Sequence, residues 1–193
     1  MKYFPVIVIL SMLAACSKNS DETKNNGEKI ETVVVHYNNG NVFCSGQHKA
    51  KKDDKPIRVG NWKFYHPNGK ISDDMDYDEN GVWMSRKYYS EDGKIVQTEL
   101  ENDNIYLATT YYKSGNIKEE TLEKKVVEKD EDDSSEWTET VVKEFYPSGI
   151  LKEQTEYLDG NPNGEKKIWD STGVLLITVK YEDGIIISDH KSN

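Results

Sequence analysis

Gly60-Asn61-Trp62-Lys63-Phe64-Tyr65-His66-Pro67-Asn68-Gly69-Lys70-Ile71 is the stretch on which the fold turns. Trp62-Lys63-Phe64-Tyr65 alternates in the period-two manner of a strand with two unlike faces. His66-Pro67-Asn68-Gly69 then supplies turn-forming side chains and a glycine where a tight hairpin needs positive φ. Alternation resumes in Ile71-Ser72-Asp73-Asp74-Met75-Asp76-Tyr77, so the chain is expected to return as a second strand.

The same order of residue types recurs along the chain: an aromatic residue, two or three turn residues, a glycine, any residue, then Val, Ile or Leu. It is found at Tyr37-Gly40-Val42, Tyr65-Gly69-Ile71, Tyr89-Gly93-Ile95, Tyr112-Gly115-Ile117, Tyr146-Gly149-Leu151 and Trp169-Gly173-Leu175. With Tyr37, Tyr65, Tyr89, Tyr112, Tyr146 and Trp169 taken as repeat anchors, the spacings are 28, 24, 23, 34 and 23 residues. A unit of that length is too short for a four-stranded propeller blade, which needs about 40 residues or more. The pattern predicts an all-β repeat domain over residues 30–187, an elongated antiparallel meander of about six stacked hairpins. About twelve strands at roughly 4.8 Å spacing would make a ribbon on the order of 50 Å long. The six anchors are expected to form a column on one face, with Phe64, Tyr88, Tyr111, Phe145 and Ile168 on the other. Their bland role is cross-strand packing that holds a thin sheet together.

The far ends of the hairpins are less regular. Tyr77, Tyr157 and Tyr181 each stand six residues beyond the branched position and precede glycine turns at Gly81, Gly160 and Gly184. The other units carry His48, Glu101 and Glu123 there. Two insertions are expected, one over Lys49 to Pro56 and one around Glu128 to Glu136. The second reads as the tip between two long strands, Ile117 to Val127 and Trp137 to Phe145. Its carboxylates lack the spacing of a calcium loop and read as a solvated acidic turn.

Ahead of the repeats lie a different kind of sequence and an address. Lys2, the apolar run Phe4-Pro5-Val6-Ile7-Val8-Ile9-Leu10 and then Leu13-Ala14-Ala15-Cys16 read as a signal peptide over residues 1–15, too short to span a bilayer stably. The last four residues resemble the lipobox of bacterial lipoproteins. That resemblance implies lipidation of Cys16, cleavage before it, and anchoring in the cell envelope by acyl chains. Ser17 follows the cysteine where an aspartate would favour retention at the inner membrane, so a diderm host would favour the outer membrane. Polar residues over the rest of 16–29 read as a flexible stalk, and 188–193 as a polar tail.

Without residues 1–15 the chain carries 24 Lys+Arg against 35 Asp+Glu, a formal charge of −11. Nucleic acid would be repelled at long range, whereas a basic protein partner is allowed. Cys44 is then the remaining thiol and has no partner for an intramolecular disulfide. The histidines His36, His48, His66 and His190 form no ligand motif, and neither a phosphate-binding Gly-Lys-Ser/Thr loop nor a Gly-x-Ser-x-Gly turn occurs. No catalytic residue, metal or cofactor is therefore expected. Trp83 and Trp137 stand outside the anchor positions and are the candidate surface contacts.

The units Gly60 to Ile71 and Arg86-Lys87-Tyr88-Tyr89-Ser90-Glu91-Asp92-Gly93-Lys94-Ile95 resemble the MORN-repeat variant of bacterial envelope proteins. The resemblance implies a twisted β-hairpin array without catalytic residues. Similar repeats occur in the YwqK type of antitoxin, so it also implies protein binding, with an immunity partner of a secreted toxin as one form. The chain departs from the usual repeat in lacking its His-Gly second half, and the lipid binding of some MORN proteins is not carried over. The alternative is glycan or cell-wall binding by an exposed aromatic face, which requires open rings.

Overall fold

A computed structural model describes residues 29–50, 55–129 and 134–191. The signal peptide, Cys16, most of the stalk and the centre of the acidic tip lie outside the described residues. Strands follow in the order β1 (Lys29–His36), β2 (Val42–Ala50), β3 (Ile57–Tyr65), β4 (Ile71–Tyr77), β5 (Trp83–Tyr89), β6 (Ile95–Asn102) and β7 (Ile105–Tyr111). They continue with β8 (Ile117–Lys129), β9 (Ser134–Phe145), β10 (Leu151–Leu158), β11 (Asn161–Trp169), β12 (Leu175–Glu182) and β13 (Ile185–Lys191). All thirteen form one sheet in sequence order, and every neighbouring pair is antiparallel. The hairpin meander read from the repeats is the observed fold. Its last strand runs on to Lys191, so part of the segment read as a polar tail belongs to the sheet.

Six turns on one edge of the sheet share a single design. In each, the first turn residue donates its N–H to the carbonyl four residues on, and its own carbonyl accepts the glycine N–H three residues on. Tyr37, His66, Ser90, Tyr112, Tyr146 and Asp170 occupy that first position, with N···O distances between 2.8 and 3.1 Å. The glycines sit at positive φ, for example 83° at Gly69, so this is a type I turn closed by a glycine bulge. A register shift in every one of these hairpins records the extra residue.

This geometry corrects the expected aromatic columns. Tyr37, Tyr112 and Tyr146 open the turns, whereas Tyr65, Tyr89 and Trp169 are the last residues of β3, β5 and β11 and pair with Ile71, Ile95 and Leu175. The six anchors thus occupy two different positions and cannot form one column. Phasing on the glycine puts Tyr65, Tyr89, Tyr111, Phe145 and Trp169 in one set, each directly opposite the branched residue of the return strand. Phe64, Tyr88 and Ile168 then align one residue earlier, with Thr110 and Glu144 in the other hairpins. Aromatic neighbours such as Tyr111-Tyr112 and Phe145-Tyr146 conceal the phase in the sequence.

The described residues divide almost evenly between half-buried and exposed, as a one-layer sheet requires. Among the described residues the buried apolar side chains are Cys44, Val59 and Trp62, all on β2 and β3. Between these strands the register jumps from Ser45–Lys63 to Gln47–Val59, and this irregularity seats the Trp62 ring over Gly46. Trp62 is 2% exposed and donates its indole N–H to the Gln47 carbonyl at 2.9 Å. The His48 ring lies 4.9 Å from it and the Arg58 guanidinium 5.0 Å. Burial, with Arg58 adding to it, lowers the His48 pKa, and burial raises that of the Cys44 thiol.

Candidate interaction surface

The regular turns are tied to one another by a ladder of side chains. Tyr37 donates its hydroxyl to the Tyr65 carbonyl at 2.6 Å, Tyr112 to the Phe145 carbonyl at 2.8 Å and Tyr146 to the Trp169 carbonyl at 2.9 Å. His66 Nε2 meets the Tyr89 carbonyl at 2.9 Å in the same relation. Each rung runs from the opening residue of one turn to the strand end of the next hairpin. A second row lies outside it: Asn41 and Asn116 donate to the Pro67 and Pro147 carbonyls, both at 2.7 Å, and Lys70 and Lys94 reach Asp92 and Lys113 carbonyls. The first row has one gap, at Ser90, whose hydroxyl bonds within its own turn instead. The hydroxyls of these tyrosines are therefore structural ties between successive hairpins.

On the face that carries Trp62, the middle of the sheet is acidic. Glu119, Glu144 and Glu153 stand abreast on β8, β9 and β10 in directly opposed positions. Like charges so placed destabilise a sheet unless countered. Lys152 reaches Glu144 at 2.9 Å and Lys166 reaches Glu153 at 2.6 Å. Further along, Tyr106 lies between Glu101 and Glu123, and Tyr88 and Tyr106 both donate to Glu99, at 3.2 and 3.5 Å. Burial, reinforced by Glu99, Glu123 and Glu101, pushes the Tyr106 hydroxyl up to about 12. Tyr88 is likewise pushed up to about 12 by burial, against the Arg86 guanidinium stacked 3.8 Å from its ring centre. Arg86 also pairs with Asp73. A shallow cleft of about 190 Å³ opens beside Tyr106, lined by Glu101, Glu123, Lys125 and Thr138 among others.

The opposite face carries an apolar row. Leu100, Leu107, Leu122 and Val141 are directly opposed in turn across β6, β7, β8 and β9. Leu100 is 47% exposed and Leu122 40%. The neighbouring row holds Thr109, Glu120 and Lys143, the last two paired at 3.2 Å. Ile105 and the Lys124–Glu139 pair flank the other side. An apolar row with a polar rim, on a face that no described residue covers, has the make-up of a contact surface. The four residues lie 7, 15 and 19 positions apart in the chain, so no periodicity announces them.

Of the candidate contacts read from the sequence, Trp83 is half-buried on β5 with its ring edge-on to Tyr106 at 6.3 Å. Trp137 is half-buried on β9, where it pairs with Val126 and approaches Glu139 through its indole N–H at 3.4 Å. Neither lies in the apolar row.

A single-layer antiparallel sheet of hairpin repeats, with its turns tied along one edge, defines this chain as an open β-repeat protein. Residues 58–79 and 139–159 match the family model described as the MORN repeat variant, so the chain carries MORN-variant repeats at those two places. The first match covers β3, β4 and the turn between them, and the second joins β9 to β10 through the Tyr146 turn. No curated protein matches the chain.

Proposed function

We propose that this protein is a non-enzymatic protein-binding repeat module, tethered to the cell envelope through a lipid on Cys16. The observation that carries the binding reading is the row Leu100, Leu107, Leu122 and Val141 on a sheet face over which no described residue packs. Burying such a row against a partner releases water from apolar surface at about 25 cal/mol per Å². The acidic opposite face and the overall charge suit a basic partner, and an immunity-type partner of a secreted toxin is one such case. Glycan stacking needs open rings, whereas the described tyrosines and tryptophans are buried or half-buried.

The test is the recovery of a cross-linked partner from native membranes with Leu100→Lys and Leu122→Lys, beside Thr178→Lys as a control away from the row. Partner recovery is expected to be lost in the first two and kept in the control, with circular dichroism unchanged in all three. Recovery that is indifferent to charges on the row would remove this face as the binding surface. For the tether, labelling with a palmitate analogue should be abolished by Cys16→Ala and unaffected by Cys44→Ser.

A further inference from the structure

The two edges of the sheet differ in how they meet water. β13 begins with three consecutive isoleucines, Ile185, Ile186 and Ile187, which are 68%, 58% and 56% exposed. Its inner side pairs with β12, and among the described residues nothing pairs with its outer side. Such an edge offers free backbone donors and acceptors together with apolar side chains on both faces, and edges of this kind template a further strand unless charge or a bulge prevents it. The charged residues Asp189 and Lys191 stand only in its second half.

We infer that β13 pairs with β13 of a second copy of this chain, about a two-fold axis normal to the sheet. Strand number selects this occupant. Thirteen strands in strict antiparallel order leave β1 and β13 running in the same direction. Adding another copy head to tail, with the faces continuous, would put its β1 parallel to β13, the less favourable pairing in a sheet with no other parallel pair. Bringing β1 in antiparallel would require turning the second sheet over, so that apolar and acidic faces would adjoin. The two-fold arrangement instead keeps the pairing antiparallel and each face continuous from one copy to the next. It is isologous, so it closes at a dimer rather than growing into a fibre. The register that covers the isoleucines sets Ile186 opposite its own copy and Ile185 opposite the second copy's Ile187.

Sedimentation of the full chain in detergent solution should show a dimer that dissociates on dilution. Ile186→Lys should be monomeric at the concentration where the unaltered chain is dimeric, with the same circular dichroism spectrum. Ile186→Cys should form a disulfide-linked dimer on mild oxidation, and Thr32→Cys on β1 should not. A chain that stays monomeric at every accessible concentration would overturn the proposal. So would a dimer that survives Ile186→Lys, or a ladder of higher species cross-linked through β1.

Discussion

The hairpins at the two ends of β1–β4 and those in the middle of the sheet are made from the same repeat, yet they solve different problems. Around β2 and β3 a register irregularity folds Trp62 over Gly46, and Cys44 and Val59 are buried beside it. The ladder is also continuous there, from Tyr37 through His66 to the Tyr89 carbonyl. From β6 to β9 no apolar side chain among the described residues is buried, the ladder skips Ser90, and Leu100 and Leu122 face water. A one-layer sheet has no interior to distribute, so burial at one place and an open apolar row at another are alternatives for the same kind of residue. Among the described residues, apolar burial is concentrated on β2 and β3, and the centre of the sheet keeps its apolar row open.

The largest test of that contrast is Trp62→Ala, which should cost about 3–5 kcal/mol because it empties the most buried site. Hydrogen exchange should accelerate across β1–β4 while β9–β12 keep their protection, since each hairpin contacts only its neighbours. Uniform loss along the whole sheet would show one cooperative unit and erase the distinction between the regions. Gly46→Ala attacks the same site from below: the added methyl would collide with the Trp62 ring, and overpacking of this sort costs about 1–3 kcal/mol. Its thermal midpoint should fall with the same local pattern of exchange.

Smaller effects should come from the ladder. Tyr146→Phe keeps the ring and removes the hydroxyl held by the Trp169 carbonyl, a loss of about 0.5–1.5 kcal/mol, visible in a urea midpoint. Ser90→Tyr sharpens the comparison by adding a rung where one is missing. It should raise the urea midpoint by a fraction of that amount and slow exchange near Tyr111. No gain would mean that the central hairpins are spaced too differently for a rung to reach.

The smallest effect concerns the turn on the opposite edge that copies the regular design. Asp78 accepts the backbone N–H groups of Val82 and Asn80, both at 2.8 Å, and these bonds hold its carboxyl below the ordinary aspartate range. A depressed carboxylate contributes stability above its unfolded pKa, and that contribution disappears as pH falls through the folded value. Amide shifts of Asn80 and Val82 should therefore hold steady down to about pH 4 and move together below it. In Asp78→Asn that transition should be absent.

How much of this could be read beforehand follows from what each feature depends on. Hairpin repeats were readable because a type I turn with a glycine bulge demands a residue tolerant of positive φ at one place, and Gly40, Gly69, Gly93, Gly115, Gly149 and Gly173 mark it, each two residues before a branched or leucine side chain. The aromatic phase was misread because Tyr37 stands three residues before its glycine and Tyr65 four, and only the pairing separates a turn-opening ring from a strand-ending one. The long hairpin of β8 and β9 was visible from the insertion around Glu128 to Glu136, which lengthens the unit about an acidic tip.

By itself, then, the sequence determined the class of fold, the hairpin order and the acidic charge, because those depend on local backbone chemistry and composition. Tertiary structure decided which residues stand side by side. The row from Leu100 to Val141, the glutamates abreast on β8–β10, the seat of Trp62 over Gly46 and the exposed isoleucines of β13 all follow from register. Register is a relation between neighbouring strands rather than a property of either strand's residues, and a shift of one residue turns every side chain to the other face.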